Sequence, residues 1–240
     1  MIDLHSHILP GLDDGAANLE AALSIARLAV ADGIAQMACT PHVTPGLYNN
    51  TTDGISRAVE SLQSCFHHED IPLKLFVGAD IHATPDISAR LGSGEIPTLN
   101  RSRYFLFEPP HDLAPPGLLQ LARNLIAGDF VPIVTHPERL RWIEDGYDVI
   151  KQLRNSGALM QLTAASVVGK FGSRARYWSD RMLDEGRVDL IASDTHHPVR
   201  RPPLLSKARE MISRRQGEEA ADRMTLHTPQ AILRNQDLQS

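Results

Sequence analysis

Short apolar runs alternate with longer amphipathic stretches along the chain, and nearly every run ends in histidine, aspartate or glutamate. The runs at 1–5, 36–40, 73–77, 104–107, 131–135, 159–162 and 188–192 have the length and composition of strands. Stretches such as 17–32, 55–66, 118–127, 147–155 and 175–185 carry apolar residues at helical spacing. Strands separated by helices imply βαβ units and a parallel sheet. The polar residues then choose between closed and open architectures. His5 and His7, His42, Asp80, Glu108, His136, Asp194 and His196 fall at the ends of different runs. In β/α barrels that end gathers functional groups, because the loops there converge on one axis. An open doubly wound sheet would concentrate them at one or two switch points. The expected fold is an α/β, TIM-like barrel of seven strands. The tail, 203–215 and then 217–235, reads as two or three helices covering the barrel, and residues 1–240 as a single domain.

At 240 residues the chain can bury a real core. With 42% hydrophobic and 22% charged residues it has the balance of a soluble globular protein. The net charge of −5 argues against a broad nucleic-acid surface, which needs Lys/Arg patches. Only two cysteines occur, Cys39 and Cys65, too few for a disulfide framework or a four-cysteine zinc site. The N-terminus lacks the basic and apolar regions of a secretory signal, and no run approaches the ~18 apolar residues of a membrane span. The cytosol is the expected compartment, with no membrane insertion and no nucleic-acid partner. Eleven histidines are unusual; His67, His68 and His111 read as scattered surface residues.

Six clusters carry the chemistry. In DLHSHILPGLDDG, His5 and His7 alternate at strand spacing, so both imidazoles leave one face and can chelate a divalent transition ion. Asp13 and Asp14 follow on a glycine-permitted turn that can fold back over the same ion, although one of them reads more simply as a turn former or helix N-cap. In TPH, Pro41 ends the strand and fixes the direction of His42. In GADIH, Asp80 directly after an apolar strand needs a partner or a metal, because a bare buried carboxylate is costly; His82 shares its face. Glu108, after three apolar neighbours in FLFEPP, reads as a ligand for the same reason. In THPER, His136 ends another strand and Arg139 offers a planar donor fork suited to phosphate; Glu138 and Arg139 also read as a solvated loop ion pair. In SDTHH, Asp194 and His196 repeat the same-face spacing, and Arg201 supplies a second cation.

Eight or nine nitrogen and oxygen ligands exceed the capacity of one ion, so two or three divalent metals are implied. Imidazole plus carboxylate without thiolate suits manganese, iron, cobalt or zinc. Adjacent ions can activate water and clamp a phosphoryl oxygen, and two arginines at the rim point to a phosphate substrate. A cysteine-nucleophile phosphatase would need C-x5-R; neither cysteine has arginine at that spacing.

Taken together, DLHSHILPGLDDG, TPH, GADIH, FEPP, THPER, QLTAASVVGKFG and SDTHHPVRRPP resemble the PHP superfamily. More closely they resemble its bacterial capsule-regulating protein-tyrosine phosphatases of the CpsB/CapC type, from Asp3 to about Pro203, with LHTPQAIL also similar to that family's ending. The resemblance implies a distorted seven-stranded barrel with a trinuclear centre, manganese foremost among the candidate ions. It implies that His5, His7 and Asp194 hold one metal, Glu108 and His136 a second, and Asp14, His42 and His196 a third. Asp80, like Glu108, would be a shared carboxylate. Arg139 and Arg201 would bind phosphate, and His42, His136 and His196 would take part in catalysis. The implied substrate is phosphotyrosine on the tail of a membrane-associated bacterial tyrosine kinase controlling polysaccharide export. Two positions depart from the pattern: Asp80 stands where the family usually has glutamate, and His82 where it has arginine, so His82 becomes either an added ligand or a replaced substrate contact. Alternatives are a small-molecule phosphatase of the histidinol-phosphate kind, a PHP-type nuclease, and a non-catalytic phosphate-binding module.

Overall fold

The computed structural model describes residues 1–238. Its strands are β1 (Ile2–Asp3), β2 (Gln36–Cys39), β3 (His42–Val43), β4 (Lys74–Val77), β5 (Asp80–His82), β6 (Tyr104–Glu108), β7 (Val131–Thr135), β8 (Leu159–Thr163) and β9 (Leu190–Ala192). Its helices are α1 (Leu19–Ala31), α2 (Thr52–His68), α3 (Ile87–Gly92), α4 (Leu118–Ala127), α5 (Ile143–Asn155), α6 (Ala164–Val167), α7 (Gly172–Asp184), α8 (Ser206–Gln216), α9 (Glu218–Asp222) and α10 (Thr228–Leu233).

Every ladder is parallel, but the strands form two sheets rather than one closed seven-stranded barrel. The first runs β1-β2-β4 and the second β3-β5-β6-β7-β8-β9. The chain passes between them at Thr40–Pro41 and at Gly78–Ala79. Pro41 has no amide hydrogen for a ladder. Gly78 lies where a Cβ would come 2.7 Å from the Leu99 side chain and 3.0 Å from that of Thr40, so any larger residue would have to displace them. The expected strands 36–40 and 73–77 correspond to β2 and β4, while β3 and β5 are short further strands beyond them, so His42 and Asp80 belong to strands instead of following one. On the far side, the first and last strands meet through a single parallel bridge, Ser6 to Thr195. The His7 amide donates to the Thr195 carbonyl at 2.8 Å and the Asp194 amide to the His5 carbonyl at 2.9 Å.

Helix boundaries follow their caps. Asn18 caps α1 through the Ala21 amide, so neither Asp13 nor Asp14 serves as that N-cap. Thr51 caps α2, which starts three residues before its expected start. Period-two alternation divides the core. Phe105, Phe107, Val134, Met160 and Leu162 face the helices. Tyr104, Leu106, Ile133, Leu159 and Leu190 turn the other way and are closed off by Ile232 and Leu233 of α10. The tail thus seals the N-terminal ends of the strands, leaving the C-terminal ends for the polar residues. Among the described residues no helix is long and apolar enough to cross a membrane.

Candidate metal centre

The residues singled out from the separate strand ends converge at one place. His5 and His7 leave the end of the first strand. Each uses Nδ1 toward an oxygen that can only accept: His5 toward Gln161 Oε1 at 2.8 Å, His7 toward Asp13 Oδ2 at 2.6 Å. Both Nδ1 atoms therefore carry a proton, and in the neutral rings both Nε2 atoms present lone pairs. Those two atoms lie 3.1 Å apart. Two imidazole lone pairs at that separation repel unless a proton or a metal cation lies between or beside them.

Around this pair Asp80 Oδ2 lies 3.4 Å from His5 Nε2, and Asp194 Oδ1 lies 3.5 Å and 3.4 Å from the Nε2 atoms of His5 and His7. Asp80 is wholly buried, yet neither of its carboxylate oxygens has a hydrogen-bond donor. The buried Nδ1 atoms of His42 and His136 are likewise unpartnered. Such groups are expensive to desolvate and call for a cation. Four sets of side chains could each hold one: His7, Asp14, His42 and His196; His5, His7 and Asp80; Glu108, His111 and His136; His42, Asp80 and Glu108. The donors are imidazole and carboxylate only, which fits divalent transition ions.

The electrostatics agree with that chemistry. Five carboxylates (Asp13, Asp14, Asp80, Glu108, Asp194) face two guanidiniums. Burial would depress the His5 imidazolium, but Asp80 and Asp194 outweigh it and push the pKa up to about 9. At His42 burial is likewise outweighed by Glu108 and Asp80, and the pKa reaches about 10. The cluster demands positive charge. Burial and the neighbouring Arg139 hold His136 well below the usual histidine range, and burial with His7 lowers His196.

Arg139 and Arg201 converge on one atom: each donates to Asp194 Oδ2 at 2.5 Å. Both lie over the Phe171 ring, 4.8 Å and 5.8 Å from its centroid. Asp194 and His136 have positive φ, 53° and 37°, a strained backbone that turns each side chain inward. His82, part-exposed, lies 3.7 Å from Glu108 Oε2. Despite its shorter side chain, Asp80 reaches both His5 and His42 Nδ1, the latter at 3.5 Å, because β5 pairs with β3 in the register Asp80 to His42.

Several readings of the sequence need correction. His111 is not a scattered surface residue: its Nε2 lies 3.5 Å from Glu108 Oε1 and its ring 5.0 Å from that of His136. The spacing Glu108-Pro-Pro-His111 was the available signal. Glu138 is not a solvated partner of Arg139. It is wholly buried, accepts the Thr163 amide at 3.0 Å, and has its pKa raised by burial. Among the four candidate sets, His7 and His42 each fall in two, and Asp80 lies with His5 and His7. Asp13, read as a turn carboxylate that could fold back over the ion, instead accepts from His7 Nδ1. Gln161, Phe171 and Tyr48 went unrecognised; Tyr48 stacks on His42 with centroids 5.8 Å apart. No spacing rule marks them, because each meets its partner only through the fold. His67 and His68 lie exposed on α2.

Comparison with known proteins follows the same line. The family described as capsular polysaccharide synthesis, CpsB/CapC, matches residues 1–234. The tyrosine-protein phosphatase YwqE of Bacillus subtilis (strain 168) is 32% identical over 238 residues, covering 99% of this chain and 93% of that protein. A solved structure from work on YwqE of Bacillus subtilis and CpsB of Streptococcus pneumoniae, there described as metal-dependent tyrosine phosphatases, superposes with a TM-score of 0.95 at 31% identity. It covers 100% of this chain and 96% of its own. Histidinol phosphate phosphatase from Lactococcus lactis shares the fold alone, with a TM-score of 0.58 at 11% identity over 94% of this chain and 96% of that one.

Proposed function

Because the chain belongs to the CpsB/CapC family, we propose that it is a metal-dependent protein-tyrosine phosphatase. Its substrate is phosphotyrosine on the tail of a membrane-associated bacterial tyrosine kinase in capsule and exopolysaccharide production, and it acts in the cytoplasm as one domain. The observation that carries this reading is the pair of bare imidazole nitrogens 3.1 Å apart, ringed by buried carboxylates and capped by two arginines. The broken strand pairs β2–β3 and β4–β5, each counted as one, reduce the nine segments to seven. With the Ser6 to Thr195 seam this supports a distorted barrel.

His5, His7, Asp14, His42, Asp80, Glu108, His111, His136, Asp194 and His196 would hold two or three divalent ions, manganese foremost, with iron, cobalt or zinc as alternatives. Such ions supply Lewis-acid polarisation of a phosphoryl group and a water of lowered pKa. The chain's own residues do the rest. Arg139 and Arg201 exchange part of their hold on Asp194 for the phosphoryl oxygens, with the Phe171 ring packed against both guanidiniums. Asp13 and Gln161 lock the tautomers of His7 and His5 so that lone pairs face inward. His82 lies at the mouth as a substrate contact. A phenolic leaving group, with a pKa of about 10, needs little help from an acid; that help would come from whichever of His42, His136 and His196 is not committed to an ion. Cys39 takes no part, since burial raises its thiol pKa and keeps it protonated.

The test is kcat/KM of the metal-loaded protein on a phosphotyrosyl peptide, histidinol phosphate and a nucleoside monophosphate. The peptide should be preferred by at least about 1.4 kcal/mol, or tenfold. A preference for histidinol phosphate would move the chain to the small-molecule class.

A further inference from the structure

A second, shallow cleft of about 70 Å³ adjoins the centre and shares Arg201 and Phe171 with it. Its cationic lining is Lys170, Arg200, Arg201 and Lys207, its floor includes Phe171 and Leu204, and no carboxylate lines it. That composition is unusual for a chain of net charge −5. Arginines on the adjoining α7 and α8 are consumed in ion pairs: Arg174 with Glu144, Arg176 with Asp180, Arg209 with Asp222, Arg215 with Asp180. Lys170, Arg200 and Lys207 are exposed, and among the described residues they make no ion pair. Lys207 occupies the first turn of α8, where a cation opposes the helix dipole, so helix stability does not explain it. Val199, 79% exposed, lies on the turn bearing Arg200 and adds apolar surface beside the cleft.

We propose that this cleft seats an acidic side chain of the polypeptide flanking the scissile phosphotyrosine, making the enzyme selective for acidic phosphopeptides. The proposal rests on the phosphotyrosine reading and deepens it. Arg201 holds the phosphoryl group at one end of a continuous cationic surface. Lys170, Arg200 and Lys207 extend that surface toward the neighbouring residue, and the Phe171 and Leu204 floor accommodates its methylenes. Cations of this kind select by complementarity and screen with salt.

The experiment measures kcat/KM for p-nitrophenyl phosphate and for phosphotyrosyl peptides flanked by glutamate, glutamine or lysine, at low and high salt. It uses the full chain, the Lys170→Ala/Lys207→Ala double variant and the Lys170→Glu/Lys207→Glu double variant. The parent should favour the glutamate peptide over the glutamine peptide about tenfold at low salt, a ratio in reach of two or three exposed ion pairs. The alanine variant should lose that ratio while keeping its p-nitrophenyl phosphate activity, and the glutamate variant should favour the lysine peptide. Equal rates on the glutamate and glutamine peptides, or a ratio that survives in the alanine variant, overturns the proposal alone. Turnover of p-nitrophenyl phosphate with no hydrolysis of any peptide overturns the phosphotyrosine reading and this proposal with it.

Discussion

Replacing Asp13 by asparagine should disable part of the metal centre without touching a proposed ligand. Asp13 accepts three hydrogen bonds: from His7 Nδ1 at 2.6 Å, the His42 amide at 3.0 Å and the Gly15 amide at 2.9 Å. The first two enter Oδ2 and the third enters Oδ1. Asparagine has one accepting oxygen and one donating nitrogen, so no rotamer serves all three. With its oxygen at the Oδ2 position, the new amide confronts the Gly15 N–H. With the amide flipped, it confronts the His42 N–H and drives the His7 proton to Nε2, removing the lone pair from the centre. Either way a charge-assisted bond of about 1.5–3 kcal/mol is lost. Loss of a carboxylate behind a ligating histidine weakens metal binding about ten- to hundredfold, or about 1.4–2.8 kcal/mol. The assay is metal affinity by competition with a chromogenic chelator, with ions per chain by elemental analysis. The deficit should appear at the sets that include His7, namely His7, Asp14, His42 and His196, and His5, His7 and Asp80, and not at Glu108, His111 and His136. Affinities within twofold of the parent for every ion would refute the reasoning, because Asp13 would then not govern the His7 tautomer.

Other expectations are as direct. Gly15→Ala places a Cβ 2.1 Å from the His7 carbonyl oxygen; backbone must move, at a cost of about 1–3 kcal/mol, visible as a lower Tm and a weaker metal complement. Chelation should abolish aryl phosphate hydrolysis and lower Tm, since the buried carboxylates then repel, while thiol alkylation should do neither; inactivation by the alkylator alone would reverse the metal assignment. Arg139→Ala should lower kcat/KM for the phosphotyrosyl peptide by about 1.5–3 kcal/mol, the worth of a hydrogen bond to a charged group, with metal content retained; normal kinetics would remove Arg139 from the phosphate site. Glu185 is bonded by Arg181, Tyr147 and Arg187, which outweigh its burial and lower its pKa to about 2. A depressed carboxylate stabilises fully above its unfolded pKa of ~4.5 and progressively less as pH falls toward the folded value. Glu185→Gln should therefore cost about 1 kcal/mol at pH 7, allowing for solvent screening, and almost nothing at pH 2, as read from urea melts.

Where strands and helices alternate, and which residues end each strand, could be read from local pattern. β6 and β7 illustrate this, since YFLFE and VPIVT are apolar runs of strand length that terminate in Glu108 and beside His136. The same local pattern misjudged His111 and Glu138. Both follow a proline in a polar loop, the usual mark of solvent exposure, and only packing of that loop against other strands decides burial. It also passed over β3 and β5, because strands of two and three residues carry too little pattern to mark and exist only through their pairing in the second sheet.

The sequence by itself determined the order of elements, the donor chemistry and the family, all written in residues within a few positions of one another. Tertiary structure decided what depends on residues far apart in the chain. Gln161 fixes His5 across 156 positions, Phe171 underlies two arginines from different loops, and Lys170 and Lys207 share a wall. Hydrogen bonds and charges act over ångströms, and no periodicity in one dimension records which distant side chains the fold brings within that range.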